Sequence, residues 1–179
     1  MRLRLFIALP FSENVMDCLY QVQTGLKRNR VGGSFTTRHN LHLTIAFFGE
    51  TEEAVARHIV QIMKENPMPA IELKFTKLSK LRDMIIAEIE SSKELSDYVS
   101  RLRWQFDLAG IEYDRKKFMP HITLVRRADI PSEDFKLSRF YAPLSDLVIE
   151  QSEVALMCTE FIEGAPKYTP VFRQGNIDD

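Results

Sequence analysis

The sequence predicts an α+β fold with a largely antiparallel sheet. Strand-like and helical segments alternate irregularly, and neighbouring strand segments are close enough to pair as hairpins. A pattern of histidine, apolar, threonine, apolar occurs twice in strand-like surroundings, which points to an internal duplication and a pseudo-twofold pair of lobes. The composition is globular, with 45% hydrophobic and 27% charged residues in 179. A chain of this length buries a sizeable core without staples. No linker rich in Pro, Gly or Ser divides it, so residues 1–179 are expected to form one domain of two interleaved lobes.

The elements follow in order. Residues 2 to 8 alternate around Leu3, Leu5 and Ile7 and read as a strand. Ser12 is placed to cap a helix reaching about Lys27, with Val15, Leu19, Val22 and Leu26 on one face. Gly32-Gly33 marks a loop or hairpin between Asn29 and Thr37. Residues 41 to 48 read as a buried strand that Gly49 ends. Thr51 is then expected to cap a helix of about 14 residues, with Ala54, Val55, Ile59 and Ile62 inward. The NPMP segment at 66 to 69 stops that helix. Ile71, Leu73 and Phe75 form one face of a strand over 71 to 78, and a second strand follows near 84 to 90. Ser92 opens a helix that Gly110 closes. Residues 119 to 126 are strand-like, and the remainder supplies two or three further strands.

Several function classes are excluded at this level. Two cysteines, Cys18 and Cys158, cannot make a disulfide framework and read as reduced core residues of a cytosolic protein. A formal charge of -1 argues against bulk electrostatic binding of long nucleic acid, but not against a small anion in a local basic pocket. No stretch has the apolar length of a membrane span. The opening MRLRLFIALPF is broken by Arg4 and ends at Pro10, which suits a first strand better than a signal peptide. A cytoplasmic location is expected. Phosphate-binding glycine loops and the G-x-S-x-G elbow are absent from the sequence.

The repeated motif carries the chemistry. His42-Leu43-Thr44-Ile45 and His121-Ile122-Thr123-Leu124 start 79 residues apart. Strand side chains alternate faces, so His42 and Thr44 share one face and His121 and Thr123 share another. If the strands face each other, two imidazoles and two hydroxyls converge. Such a pair suits phosphoester cleavage. One ring takes a proton from water and the other protonates the leaving oxygen, near neutral pH where histidine titrates. Threonine hydroxyls then donate to the non-bridging oxygens as charge builds there. One such histidine alone reads as a core residue; two copies, each with Thr at i+2, read as a site. Arg126 lies five residues after His121, an odd offset, so it reaches the same face only through a bulge or the strand end.

Other polar residues carry less. His39 and His42 have a metal-like H-x-x-H spacing, but in a strand they point to opposite faces, and no metal is expected. His58 reads as a helix-surface residue. Arg115-Lys116-Lys117 and the group Lys27, Arg28 and Arg30 read either as solvated turns or as the edge of a phosphate groove.

These residues resemble the signature of the 2H phosphoesterase superfamily, and more closely its RNA 2',3'-cyclic phosphodiesterase branch, historically called 2'-5' RNA ligases. The resemblance covers RLFIALPF, NLHLTIAFFGE, FMPHITLVRR and the closing Pro166-Lys167-Tyr168. It implies two pseudo-symmetric lobes with mainly antiparallel sheets flanking a central groove, with helices outside. It implies metal-free hydrolysis of RNA 2',3'-cyclic phosphate ends to 2'-phosphates. By resemblance His42 is the acid on the 3'-oxygen and His121 the base on water. Thr44, Thr123 and Arg126 bind the phosphate, and Phe48 either stacks on a terminal base or belongs to the core. His39-Asn40 departs from the family, where an acidic residue commonly precedes Asn or Asp. The implied partners are RNA 3' ends or small cyclic nucleotides, with no DNA, membrane or cofactor, for a monomer. The alternatives are a 2'-5' RNA ligase, since the same groups run the reaction backwards, and a non-catalytic RNA-end or nucleotide-binding module.

Overall fold

The computed structural model describes residues 1–175, so the last four residues of the expected domain lie outside the described residues. In chain order the elements are β1 (Arg2–Leu9), α1 (Glu13–Arg28), β2 (Gly32–Phe35), β3 (Leu43–Glu52), α2 (Glu53–Glu65), β4 (Ile71–Leu81), β5 (Met84–Ile89), α3 (Lys93–Ala109), β6 (His121–Asp129), α4 (Ala142–Ser145), β7 (Val148–Gln151), β8 (Val154–Ile162) and β9 (Ala165–Gln174). Short 3-10 turns at Arg38–Asn40 and Leu137–Phe140 complete them. One sheet has the order β3-β1-β8-β9 and the other β2-β6-β5-β4-β7. Every strand pair is antiparallel, as the α+β reading predicts. No helix among the described residues is long and apolar enough to cross a membrane.

The two halves share a backbone pattern. β1 pairs with β3 around an intervening helix, and β5 pairs with β6 in the same way. Both helices open on a serine whose Oγ accepts a backbone N–H three residues on: Ser12 from Val15 and Ser92 from Leu95. The helices then cross over. α1 packs beside β6 and α4, next to the second sheet, while α3 packs on α2 and reaches β3 of the first. One continuous apolar cluster joins both sheets and all three long helices.

Four expectations need correction. Gly49 does not end β3. With φ of +72° it sits at a bulge opposite Leu5, and pairing resumes to Glu52. Thr51 is therefore inside the strand, buried, with its hydroxyl on the Gly49 carbonyl oxygen at 2.8 Å, and it cannot cap α2. The later start rotates the buried face of α2 to Ala56, Ile59, Ile62 and Met63, leaving Ala54 and Val55 exposed. Residues 32–35, expected as loop or hairpin, pair with β6 as an edge strand, and the C-terminal region supplies three strands.

Candidate active site

The first histidine enters from a locked turn. Asn40 is buried; its Nδ2 donates to Pro166 O at 2.9 Å, and its Oδ1 accepts the Tyr168 N–H at 3.4 Å. Its own carbonyl oxygen accepts from His42 Nδ1 at 2.6 Å. A carbonyl only accepts, so Nδ1 carries the hydrogen, and the neutral ring keeps its lone pair on Nε2. Nε2 lies 2.9 Å from Thr44 Oγ1. The ring is crowded by Phe6, at 4.9 Å between centroids, and by Tyr168 edge-on at 5.0 Å. Burial pushes the His42 pKa down to about 4, helped by the charges of Arg126 and His121 and opposed by the Asn40 carbonyl.

The second histidine repeats the device. His121 Nδ1 donates to Met119 O at 2.6 Å, which again leaves the neutral ring's lone pair on Nε2. The backbone after it explains Arg126. Thr123 pairs with Ile86 and Val125 with Ile85, so Leu124 is an extra residue on β6. Leu124 and Val125 are both buried, and the face alternation resumes one residue out of phase. Arg126 thereby joins the face of His121 and Thr123, despite its odd offset.

The bulge is held from outside. Leu124 O accepts from Thr36 N and from Gln23 Nε2, each at 3.0 Å, and Gln23 Nε2 also reaches Thr36 O at 2.8 Å. Thr36 Oγ1 donates to Thr123 O at 2.8 Å. Gly33 makes the close approach possible, because a Cβ there would lie 2.7 Å from Arg126 O.

These elements enclose a narrow cleft of about 40 Å³, lined by Thr36, Asn40, His42, Thr44, His121, Thr123, Arg126 and Tyr168. The structure thus brings together both histidines, both threonines and Arg126. The cleft lies between two wider recesses. One, of about 350 Å³, carries Arg4, Phe47, Thr159, Phe161 and Tyr168. The other, of about 400 Å³, carries Phe47, Arg82, Arg103, Lys116, Lys117 and Phe118 beside His121.

Comparison with known proteins places the chain in a family. The model of the 2'-5' RNA ligase superfamily matches residues 21–160. The chain belongs to the 2'-5' RNA ligase superfamily. A superfamily relative from Methanothermobacter thermautotrophicus, named RNA 2',3'-cyclic phosphodiesterase, is 27% identical over 97% of this chain and 100% of its own. One of the same name from Escherichia coli is 28% identical over 75% of this chain and 74% of its own. Among solved structures, E. coli LigT in apo form shares the fold with a TM-score of 0.77 at 22% identity, covering 97% of each chain. LigT complexed with 3'-AMP gives 0.73 at 23% identity over 99% of each.

Some candidate residues lie where the sequence does not suggest. Phe48 packs edge-on against Phe106 of α3, with centroids 5.1 Å apart, and belongs to the core. Phe47 lines both recesses beside the cleft instead. Ala46 pairs with Ile7 and Thr44 with Ala8, so β3 also bulges directly after its threonine and reverses the face of the residues beyond it. Arg115 pairs with Asp107 at 2.9 Å and turns away from the cleft, whereas Lys116 and Lys117 line the recess. His58 is exposed on α2, and His39 faces a separate recess beside α1. Gln23, Arg4 and Phe47 carry no motif; only the apolar pair after each threonine hints at the bulges.

Proposed function

We propose that this chain hydrolyses the 2',3'-cyclic phosphate at RNA 3' ends, or in small cyclic nucleotides, to a 2'-phosphate without a metal ion. The observation that carries the reading is the convergence of both histidines, with Nδ1 of each bound to backbone, on one cleft with two threonines and an arginine. The names of the relatives support it. His121 Nε2 takes a proton from water as the water oxygen bonds to phosphorus. The bond from phosphorus to the 3'-oxygen breaks, and His42 Nε2 delivers the proton that makes the 3'-hydroxyl. Thr44, Thr123 and Arg126 hold the non-bridging oxygens, where the charge grows. Phe47 takes the base-stacking role that the sequence offered to Phe48.

The low pKa of His42 fits this division once substrate is included. In the empty cleft burial and Arg126 keep the ring neutral near pH 7. An anionic phosphodiester offsets the Arg126 charge and favours the imidazolium, so the acid takes up its proton with the substrate. The test is incubation with a short RNA ending in a 2',3'-cyclic phosphate, in excess chelator. A 2'-phosphate product is expected. A 3'-phosphate would reverse the leaving group, and no product between about pH 5 and 8, where histidine pairs titrate, would sink the reading. The recess on each side of the cleft favours one second reading, 2'-5' joining, because it leaves room for a group on both sides of the phosphorus. Joined RNA as the main product under the same conditions would select it.

A further inference from the structure

We propose that a separate recess, between α1 and β2, holds the RNA strand leading to the cyclic end, so that the preferred substrate is a strand rather than a mononucleotide. This rests on the hydrolase reading and extends it. The recess measures about 660 Å³, larger than either recess flanking the cleft. It contains neither catalytic histidine, yet it shares Thr36 with the catalytic cleft, since that residue lines both.

Its chemistry suits a single strand. Tyr20, Thr24, Lys27 and Arg28 succeed one another along α1 and line it. The nine residues from Tyr20 to Arg28, eight rises of about 1.5 Å, carry that stripe over about 12 Å, room for more than one nucleotide. Lys27 and Arg28 have no carboxylate partner among the described residues. Arg38, by contrast, is tied to Glu13 and Asp17 and contributes shape more than free charge. No carboxylate lines the recess, although the chain as a whole has a net charge of -1. Tyr20 stands 53% exposed, and Lys27 Nζ lies over the Phe35 ring at 5.0 Å. Cations without a carboxylate partner, beside the exposed Tyr20 and the half-buried Phe35, form the kind of surface on which a strand tracks its backbone and stacks its bases. An acidic peptide would use the cations but would have no reason to share Thr36 with a phosphate-cleaving cleft.

The test compares two substrates, a 2',3'-cyclic mononucleotide and an RNA of about eight nucleotides, within the range such tracks hold, ending in the same cyclic phosphate. The proteins are wild type, the Lys27→Ala/Arg28→Ala double variant and Tyr20→Ala. All three substitutions are on the helix surface, and circular dichroism checks the fold. The double variant is expected to raise KM for the RNA about tenfold and leave mononucleotide kinetics unchanged. Its log–log salt dependence of KM should flatten by about 1.4, for two lost phosphate contacts on a single strand. Tyr20→Ala should show the same selectivity with an unchanged salt slope. Equal effects on both substrates, or none on the RNA, would overturn the proposal. If wild type turns over neither substrate, the hydrolase reading fails. The recess is then judged by fluorescence anisotropy with the same RNA ending in a 3'-phosphate: weaker binding by the double variant supports it, and unchanged binding overturns it.

Discussion

In both histidine strands the ring Nδ1 donates to the carbonyl oxygen two residues upstream at 2.6 Å, and the backbone bulges directly after the threonine. The surroundings differ. His42 is wedged between Phe6 and Tyr168, whereas His121 sits beside the exposed Met119 at the edge of a wide recess. The residue that each bulge turns inward also differs: Phe47 in one strand and Arg126 in the other. Duplicated backbone geometry fixes the tautomers and aims three side chains per strand. The divergence lies in what is aimed. One copy supplies an aromatic surface and an imidazole crowded by two rings, the other a cation and an imidazole at the edge of a recess.

The comparison breaks most sharply if one histidine proves dispensable. His42→Ala and His121→Ala should each lower turnover of the cyclic phosphate by about 100- to 10,000-fold, the range for a lost general acid or base. The stability costs should separate them. His42→Ala empties a packed site between two rings, while His121→Ala trims a half-exposed ring, so only the first should lower the urea midpoint clearly. Retention of activity by either variant would end the two-histidine mechanism.

Arg126→Gln probes the divergence itself. It removes a charge aimed at the phosphate and should lower kcat/KM about 100-fold, as for loss of one preorganised donor. Because Arg126 also holds the His42 pKa down, the limb of the kcat/KM profile near pH 4 should move upward in this variant. A limb that stays in place would mean that Arg126 does not act on His42.

The half-buried, ring-crowded His42 should also leave a signature in stability. Its folded pKa of about 4 lies below its ordinary 6.5. Above pH 6.5 both folded and unfolded chains hold it neutral, and its contribution to stability is complete. As the pH falls, the unfolded chain takes up a proton that the folded chain refuses, and stability declines until about pH 4. The loss is at most about 3 kcal/mol, since the cleft leaves the ring partly hydrated. Urea midpoints at pH 7 and pH 4.5 should converge more closely in His42→Ala than in wild type.

Much of this arrangement is legible in the sequence. Alternation places His42 with Thr44 and His121 with Thr123, and local chemistry identifies Ser12, Ser92 and Gly110 as helix ends. The bulges are hidden because Ile45-Ala46 and Leu124-Val125 look like any apolar stretch of strand. That one ambiguity leaves the face of Arg126 open and assigns the stacking role to Phe48 rather than Phe47. Thr51 looks like a helix cap because a good cap residue is equally at home in a strand. Tyr168 meets His42 only because β9 pairs back across the first sheet, a long-range contact with no local trace.

Gln23 offers the finest test, because it separates the bulge from the groups that the bulge aims. It does not itself line the cleft. Its Nε2 bridges Thr36 O and Leu124 O, so α1 grips β6 at the residue that turns Arg126 inward. Gln23→Leu keeps the volume and the buried position but leaves both carbonyl oxygens one partner short. A stability loss of about 1–2 kcal/mol is expected from that alone. If the grip merely stabilises the fold, turnover per folded molecule should not change. If it positions Arg126, kcat should fall about tenfold beyond the stability effect, as expected for a misplacement of about an ångström or less. Combination with Arg126→Gln then decides. The Gln23 effect on kcat should vanish once the arginine is gone, because there is no longer a guanidinium to misplace. Persistence of the full effect in the double variant would assign Gln23 to the scaffold and leave the bulge to be held by Thr36 and Gly33.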